Sequence, residues 1–218
     1  MENSVMNIIY NDGMGENTAT ISNIAKLYSN CTKAIIFGKS PSFQIIKEKQ
    51  PEQFFVCVNE TINHIDNCDL LVCNDIDAFD KIDLHQLKNL KNILIPYHIH
   101  INSSFNQNVT YNNVITKIKD YFHGNLIIYN LRTANKEHKE HITLQSTMTS
   151  AHTGFEFMGR NLPQIKLVDF YGVLKGTGYH ELFKCNTQVS NLHTSQTNIS
   201  HIILNDLSKT LHLDYVLH

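Results

Sequence analysis

No run of apolar residues in this chain approaches the roughly 20 needed to cross a bilayer. Nor is there a block of charge of one sign, since 18 Lys and Arg against 20 Asp and Glu leave a net charge of −2. Phosphate backbones are bound by clustered Lys and Arg, so a nucleic-acid partner is not expected. The opening residues, MENSVMNIIYNDG, have an acidic second residue and no apolar run of signal-peptide length. Together these absences predict a soluble, cytoplasmic protein, with peripheral association at the inner membrane left open. The five cysteines (Cys31, Cys57, Cys68, Cys73 and Cys185) make no CxxC pair and are odd in number. Free thiols in a reducing compartment are therefore expected. Among 13 histidines, HIH (98–100) and HKEH (138–141) lack a third ligand at metal-site spacing. Neither a metal nor a cofactor is expected.

What the chain does have is a series of short β-branched runs with helical patterns between them. VMNIIY (5–10), KAIIFG (33–38), FFVCVN (54–59), DLLVCN (69–74), NILIPY (92–97), NLIIYN (125–130) and IKLVDFYG (165–172) read as strands. Most are apolar without alternation, as in strands of a parallel sheet covered on both faces. Helices are predicted over 17–29, 78–90, 111–121, 147–160 and 197–211. Strand–helix alternation with short connections predicts α/β architecture: a single Rossmann-like, doubly wound, mostly parallel sheet. The predicted division is 1–170 with 197–218 as the sheet domain, and 171–196 as a short flexible lid. Gly172, Gly176 and Gly178 are expected to give that lid its freedom.

In such sheets ligands bind at the carboxyl ends of the strands. Three of those ends carry small polar groups: Gly38-Lys39-Ser40-Pro41-Ser42, Asn59 and Asn74. A glycine directly after a strand lets backbone approach a ligand. Ser42 is placed to cap a following helix, whose first amides would face an anion. The same five residues also read as a plain turn and cap. DGMGENT (12–18) holds a single GxG, a weak phosphate-loop signal.

These residues, taken in order, resemble the bacterial sialyltransferases of glycosyltransferase family 42. KAIIFGKSPSF (33–43) resembles that family's first strand and its Gly-x-x-Pro-Ser turn. FFVCVNETI (54–62) and LVCND (71–75) are similar to the strands ending in its nucleotide-sugar asparagines. QSTMTSAHTG (145–154) resembles its Thr-Ser turn before a helix. IKLVDFYG with Tyr179 downstream resembles its paired tyrosines, and NLHTSQTNIS (191–200) its histidine before a short helix. The resemblance implies His193 as general base and Tyr171 and Tyr179 as donors to a departing cytidine monophosphate. It also implies a donor pocket lined by Gly38, Lys39, Ser40, Ser42, Asn59, Asn74, Thr149 and Ser150. The implied partners are a CMP-sialic acid-type nucleotide sugar and a glycan or glycolipid acceptor, with homo-oligomers left open. The chain departs from the pattern at Lys39, where the family has Asn, and has no Arg before Thr149-Ser150.

The chemistry suits these residue types. Sugar transfer builds charge on the leaving phosphate, and tyrosine hydroxyls aimed at it can stabilise that charge without a metal. A histidine serves as base near neutral pH without tuning. Direct attack by the acceptor hydroxyl would invert the anomeric carbon. A Mg²⁺-dependent diphosphotransferase on the same sheet, or a homologue that binds nucleotide without turnover, remains the alternative.

Overall fold

The computed structural model describes residues 6–9, 16–96, 98–101, 104–131, 142–144, 149–174, 178–183 and 190–218. The strands are β1 (Asn7–Ile9), β2 (Lys33–Phe37), β3 (Gln53–Val58), β4 (Leu70–Val72) and β5 (Asn92–Pro96). They continue with β6 (His98–Ile101), β7 (Ser104–Thr110), β8 (Asn125–Leu131), β9 (Ile142–Leu144), β10 (Leu167–Tyr171) and β11 (Asp214–Leu217). The α-helices are α1 (Glu16–Leu27), α2 (Tyr111–Ile118), α3 (Ser150–Asn161) and α4 (Ser190–Leu211).

Among the described residues, nine strands form one sheet in the order β1-β8-β5-β4-β3-β2-β10-β11, with β9 following β1 along the same edge of β8. Every pairing in it is parallel. The apolar runs explain this. In β3, Phe54, Val56 and Val58 pack on one face, and Phe55 and Cys57 on the other, all buried. A strand buried on both faces needs cover on both, which crossover connections provide. One face carries Ile24 and Tyr28 from the end of α1, Phe155 and Met158 of α3, and Leu204 and Leu207 of α4. The other carries Val114 and Ile118 of α2 with Ile62, Ala78, Phe79 and Leu87 from 3₁₀ turns. The fold is a doubly wound, Rossmann-like α/β sheet, as the strand–helix alternation predicted.

Several elements differ from the sequence reading. The helix expected over 78–90 is two 3₁₀ turns, Ile76–Asp80 and Leu84–Asn89. Asp83 breaks it by accepting from the His85 N–H (3.0 Å). Asn63 then pins the break, accepting from the Asp83 N–H (2.9 Å) and donating to Lys81 O (2.8 Å). No helix follows Ser42, so its expected capping role is not realised; residues 43–50 are irregular. Helix α4 starts at Ser190 and not near Thr197, so the last residues of the expected lid are helical. The antiparallel ribbon β6–β7, the short β9 and the edge strand β11 were not anticipated.

The direction of α4 decides which end of the sheet its first turns reach. His152 near the start of α3 contacts Ser200 of α4, with Nε2 3.0 Å from the Ser200 carbonyl oxygen. Near the other end, Gly159 lies so close to Leu211 that a Cβ there would stand 2.8 Å from Leu211 Cδ1. The two helices therefore run parallel. The turns of α4 before residue 198 extend beyond the start of α3, by about 1.5 Å per residue.

Candidate functional site

Strand β2 is the topological switch point. The chain leaves it toward β3 on one side, while β10 arrives from α3 to pair on the other. Brändén-type crevices open at such points, outside the carboxyl ends of the strands. Here those ends are Gly38, Asn59, the Cys73-Asn74 pair and Gly172.

The β2 and β10 ends are locked together through backbone. The Gly38 N–H donates to Tyr171 O (2.8 Å), the Ser40 N–H to Gly172 O (2.7 Å), and the Gly172 N–H to Ser42 Oγ (3.1 Å). Ser42 thus closes the β10 turn and does not cap a helix. Gly172 has φ +73, and a Cβ there would lie 2.3 Å from Gly38 O; one on Gly38 would lie 2.4 Å from Gly172 O. Gly172 is therefore required for close approach, not for the lid freedom expected of it. Gly178, at φ +87, has open space around its Cα, and Gly176 lies outside the described residues.

Next along, at the ends of β3 and β4, Asn59, Asn74 and Ser150 come together. Asn59 is in the left-handed region at φ 53, a conformation Asn tolerates better than most residues. Thr61 fixes this turn, accepting from the Val58 N–H (2.9 Å) and donating to Phe37 O (3.1 Å). Ser150 Oγ accepts from the Asn74 N–H (3.1 Å) and reaches Asn59 Oδ1 at 3.5 Å. The Asn74 side chain is buried, accepting from Tyr129 Oη (2.9 Å) and donating to Thr153 Oγ1 (3.3 Å). Burial pushes the Tyr129 hydroxyl and the Cys73 thiol upward from their ordinary pKa values, so both stay protonated at neutral pH. Thr149 is the N-cap of α3, its Oγ1 accepting from the His152 N–H (3.3 Å). The positive end of that helix therefore faces the same carboxyl edge.

Lys39 connects the two groups. Its Nζ lies 3.0 and 3.2 Å from the two carboxylate oxygens of Glu60 and 4.8 Å from the Tyr179 ring centroid. Its carbonyl accepts from the His180 N–H (2.8 Å). His180 and Phe183 then pack edge-on against Phe43, with ring centroids 5.5 and 4.9 Å away, and His64 completes the group. Residues 178–183, part of the expected short flexible lid, are clipped to the β2 and β3 turns. Tyr171 lies on the same sheet face as Phe37, with His218 stacked on it at 4.3 Å and 3° between planes.

His193 is the fourth residue of α4, within the helix and not before it; its side chain falls outside the described residues. The parallel packing of α3 and α4 carries its backbone beyond the carboxyl edge. Also outside the described residues are 145–148, residues 12–15 of DGMGENT, His138, His141 and Cys185. Among the described residues, no group of three or more His, Cys, Asp or Glu is placed to hold a metal ion. Cys31, Cys57, Cys68 and Cys73 are free thiols. No helix of the described residues is long and apolar enough to cross a membrane.

Glu60, Tyr129, Thr153 and His152 were missed from sequence. Glu60 carried one signal, a charge directly after a strand-end asparagine; Tyr129 sat hidden inside an apolar strand. No family model, no curated protein and no solved structure matches the chain.

Proposed function

We propose that this chain is a glycosyltransferase that takes an anionic sugar of the sialic acid type from a CMP-linked donor. The donor sits along the carboxyl ends of β10, β2, β3 and β4, and the acceptor is a glycan or glycolipid hydroxyl attacking with inversion. The observation that carries this reading is the convergence of separate motifs at one switch point. Residues from 38–42, 59–60, 74, 149–153, 171–172 and 179 meet there, although they span most of the chain. A cation, a helix N-terminus and hydroxyl donors along one edge suit a nucleotide phosphate. In this mechanism Tyr171 and Tyr179 donate to the leaving phosphate, and His193 on overhanging α4 takes the acceptor proton. A second reading, a homologue that binds nucleotide without turnover, is favoured by the Asn74 side chain, which is already engaged by Tyr129 and Thr153.

A thermal-shift screen of nucleotides and nucleotide sugars tests the reading. CMP and CMP-sialic acid should stabilise the protein, by about 2.7 kcal/mol at 100 times their dissociation constant. Stabilisation by UDP-sugars with no response to CMP compounds would overturn it. Sugar transfer that persists in EDTA separates this chemistry from a Mg²⁺-dependent diphosphotransferase, and binding without transfer selects the second reading.

A further inference from the structure

The geometry points to Glu60 as a built-in stand-in for an anionic ligand, its carboxylate holding Lys39 until a ligand phosphate takes the ammonium over. The location rests on the nucleotide reading above; the chemistry rests on Lys39 and Glu60 themselves.

The pair joins the turns after two adjacent strands, β2 and β3, and spans the switch point at its entrance. Both side chains are largely withdrawn from water, with 16% of Lys39 and 11% of Glu60 still exposed. A withdrawn ion pair seldom stabilises a fold more than apolar residues of the same size would, so stability alone does not account for it. The main chain around Lys39 is pinned on both sides, its carbonyl by the His180 N–H and the next amide by Gly172 O. The ammonium can therefore change partner by side-chain rotation, with the backbone fixed. The Tyr179 ring lies against the same ammonium and provides a face that any new partner would share.

The Glu60 carboxylate is suited to release. Among the described residues, the hydrogen bonds it accepts come from Lys39. Asp69, the partner of Lys49, also accepts from the Phe55 N–H (2.7 Å) and cannot leave without orphaning a buried amide. A phosphate monoester carries about −1.5 to −2 charge at pH 7 and three strong acceptor oxygens, against one charge and two oxygens on Glu60. It therefore outcompetes the carboxylate for Lys39, and the displaced Glu60 opposes a second anion in the same place. This exchange makes the site prefer phosphorylated ligands over neutral nucleosides, and sets their affinity through Glu60.

Calorimetric titration of CMP, cytidine and inorganic pyrophosphate into three proteins tests this: wild type, Glu60→Gln, and the doubly neutral Lys39→Met/Glu60→Gln. The double variant leaves no lone buried charge, so it retains the fold. Glu60→Gln should bind CMP about 10-fold more tightly than wild type. The double variant should bind it about 10- to 100-fold more weakly than Glu60→Gln, the worth of a charge-assisted hydrogen bond. Cytidine affinity should be the same in all three. CMP affinity that is equal across the three proteins overturns the exchange, as does weakening by Glu60→Gln alone, or a wild type that binds neither CMP nor pyrophosphate. If pyrophosphate follows the expected pattern while CMP does not bind, the exchange stands and the CMP-donor reading falls.

Discussion

The two ends of the central sheet use similar polar residues differently. At the amino end, Asp69 accepts from the Phe55 amide and pairs with Lys49, while its carbonyl accepts from Asn92 Nδ2 (3.0 Å). Asn92 also donates to Tyr28 Oη (3.2 Å) and accepts from Asn125 Nδ2 (3.0 Å). Asp69 and Asn92 thus engage the backbone of β3 and of the turn before β4, and the side chains around them join neighbouring strands, so the network finishes the fold. At the carboxyl end, Lys39 and Glu60 satisfy each other across two turns, and Ser150 reaches two asparagines on neighbouring strands. The lesson is about what a side chain serves. A carboxylate that caps backbone is structural, whereas one that only neutralises a nearby cation is exchangeable.

The largest expected effect falls at the carboxyl end. Replacing His193 by Ala should lower sugar transfer by roughly 10²- to 10⁴-fold, the usual worth of a positioned general base. CMP affinity and melting temperature should change little, because the base meets the acceptor and not the nucleotide. Turnover equal to wild type would leave the proposed mechanism without its base. The converse holds at the amino end. Asp69→Ala orphans the buried Phe55 amide and leaves Lys49 with the Asn67 carbonyl in place of a carboxylate, and should cost about 2–3 kcal/mol of stability. Denaturant unfolding gives that number, and CMP titration of the folded variant should match wild type. A change in CMP affinity as large as the loss of stability would break the division between the two ends.

How much of this was legible depended on what fixed each feature. Strands β2, β3, β4, β5, β8 and β10 stood out because burial on both faces forces continuous apolar runs. β11 was hidden because its residues alternate between exposed and half-buried at the sheet edge. The ribbon β6–β7, with SFNQNVT in its second strand, carries too little apolar pattern to announce itself. The 3₁₀ turns were read as one helix because the spacing of Ala78, Phe79, Ile82 and Leu87 suits either form, and the Asn63 contact that decides lies 20 residues away. In the site, Asn59, Asn74 and Ser150 were visible as small polar residues at the ends of apolar runs or beside a turn. Tyr129 and Thr153, the partners of Asn74, and Glu60, the partner of Lys39, were not, since those pairings are set by strand order and by where α3 docks. No local pattern in sequence encodes that β3 lies beside β2, or that Tyr129 of β8 reaches the end of β4.

The smallest effect concerns the joint between the site and α4. His152 is 2% exposed, with Nδ1 2.7 Å from Thr149 Oγ1 and Nε2 3.0 Å from Ser200 O. A backbone carbonyl only accepts, so Nε2 carries the proton and the neutral ring takes the Thr149 hydroxyl proton at Nδ1. Burial lowers the His152 pKa below its ordinary value, and the bond to Ser200 only partly opposes that. The unfolded chain therefore gains this proton at a higher pH than the folded one. The neutral-ring contribution is complete above about pH 6.5 and is lost as pH falls through the window below it. Its slope cannot exceed about 1.4 kcal/mol per pH unit for one proton. Unfolding midpoints of wild type and His152→Gln between about pH 7.5 and 5 isolate this effect, because every other ionisable group is common to the two proteins. Wild type should start more stable and lose its advantage toward the acid end, so that the two curves converge. Parallel curves would mean that His152 binds its proton equally well folded and unfolded. Burial and the bond to Ser200 would then offset each other, and the joint from Thr149 to Ser200 would hold α4 independently of pH.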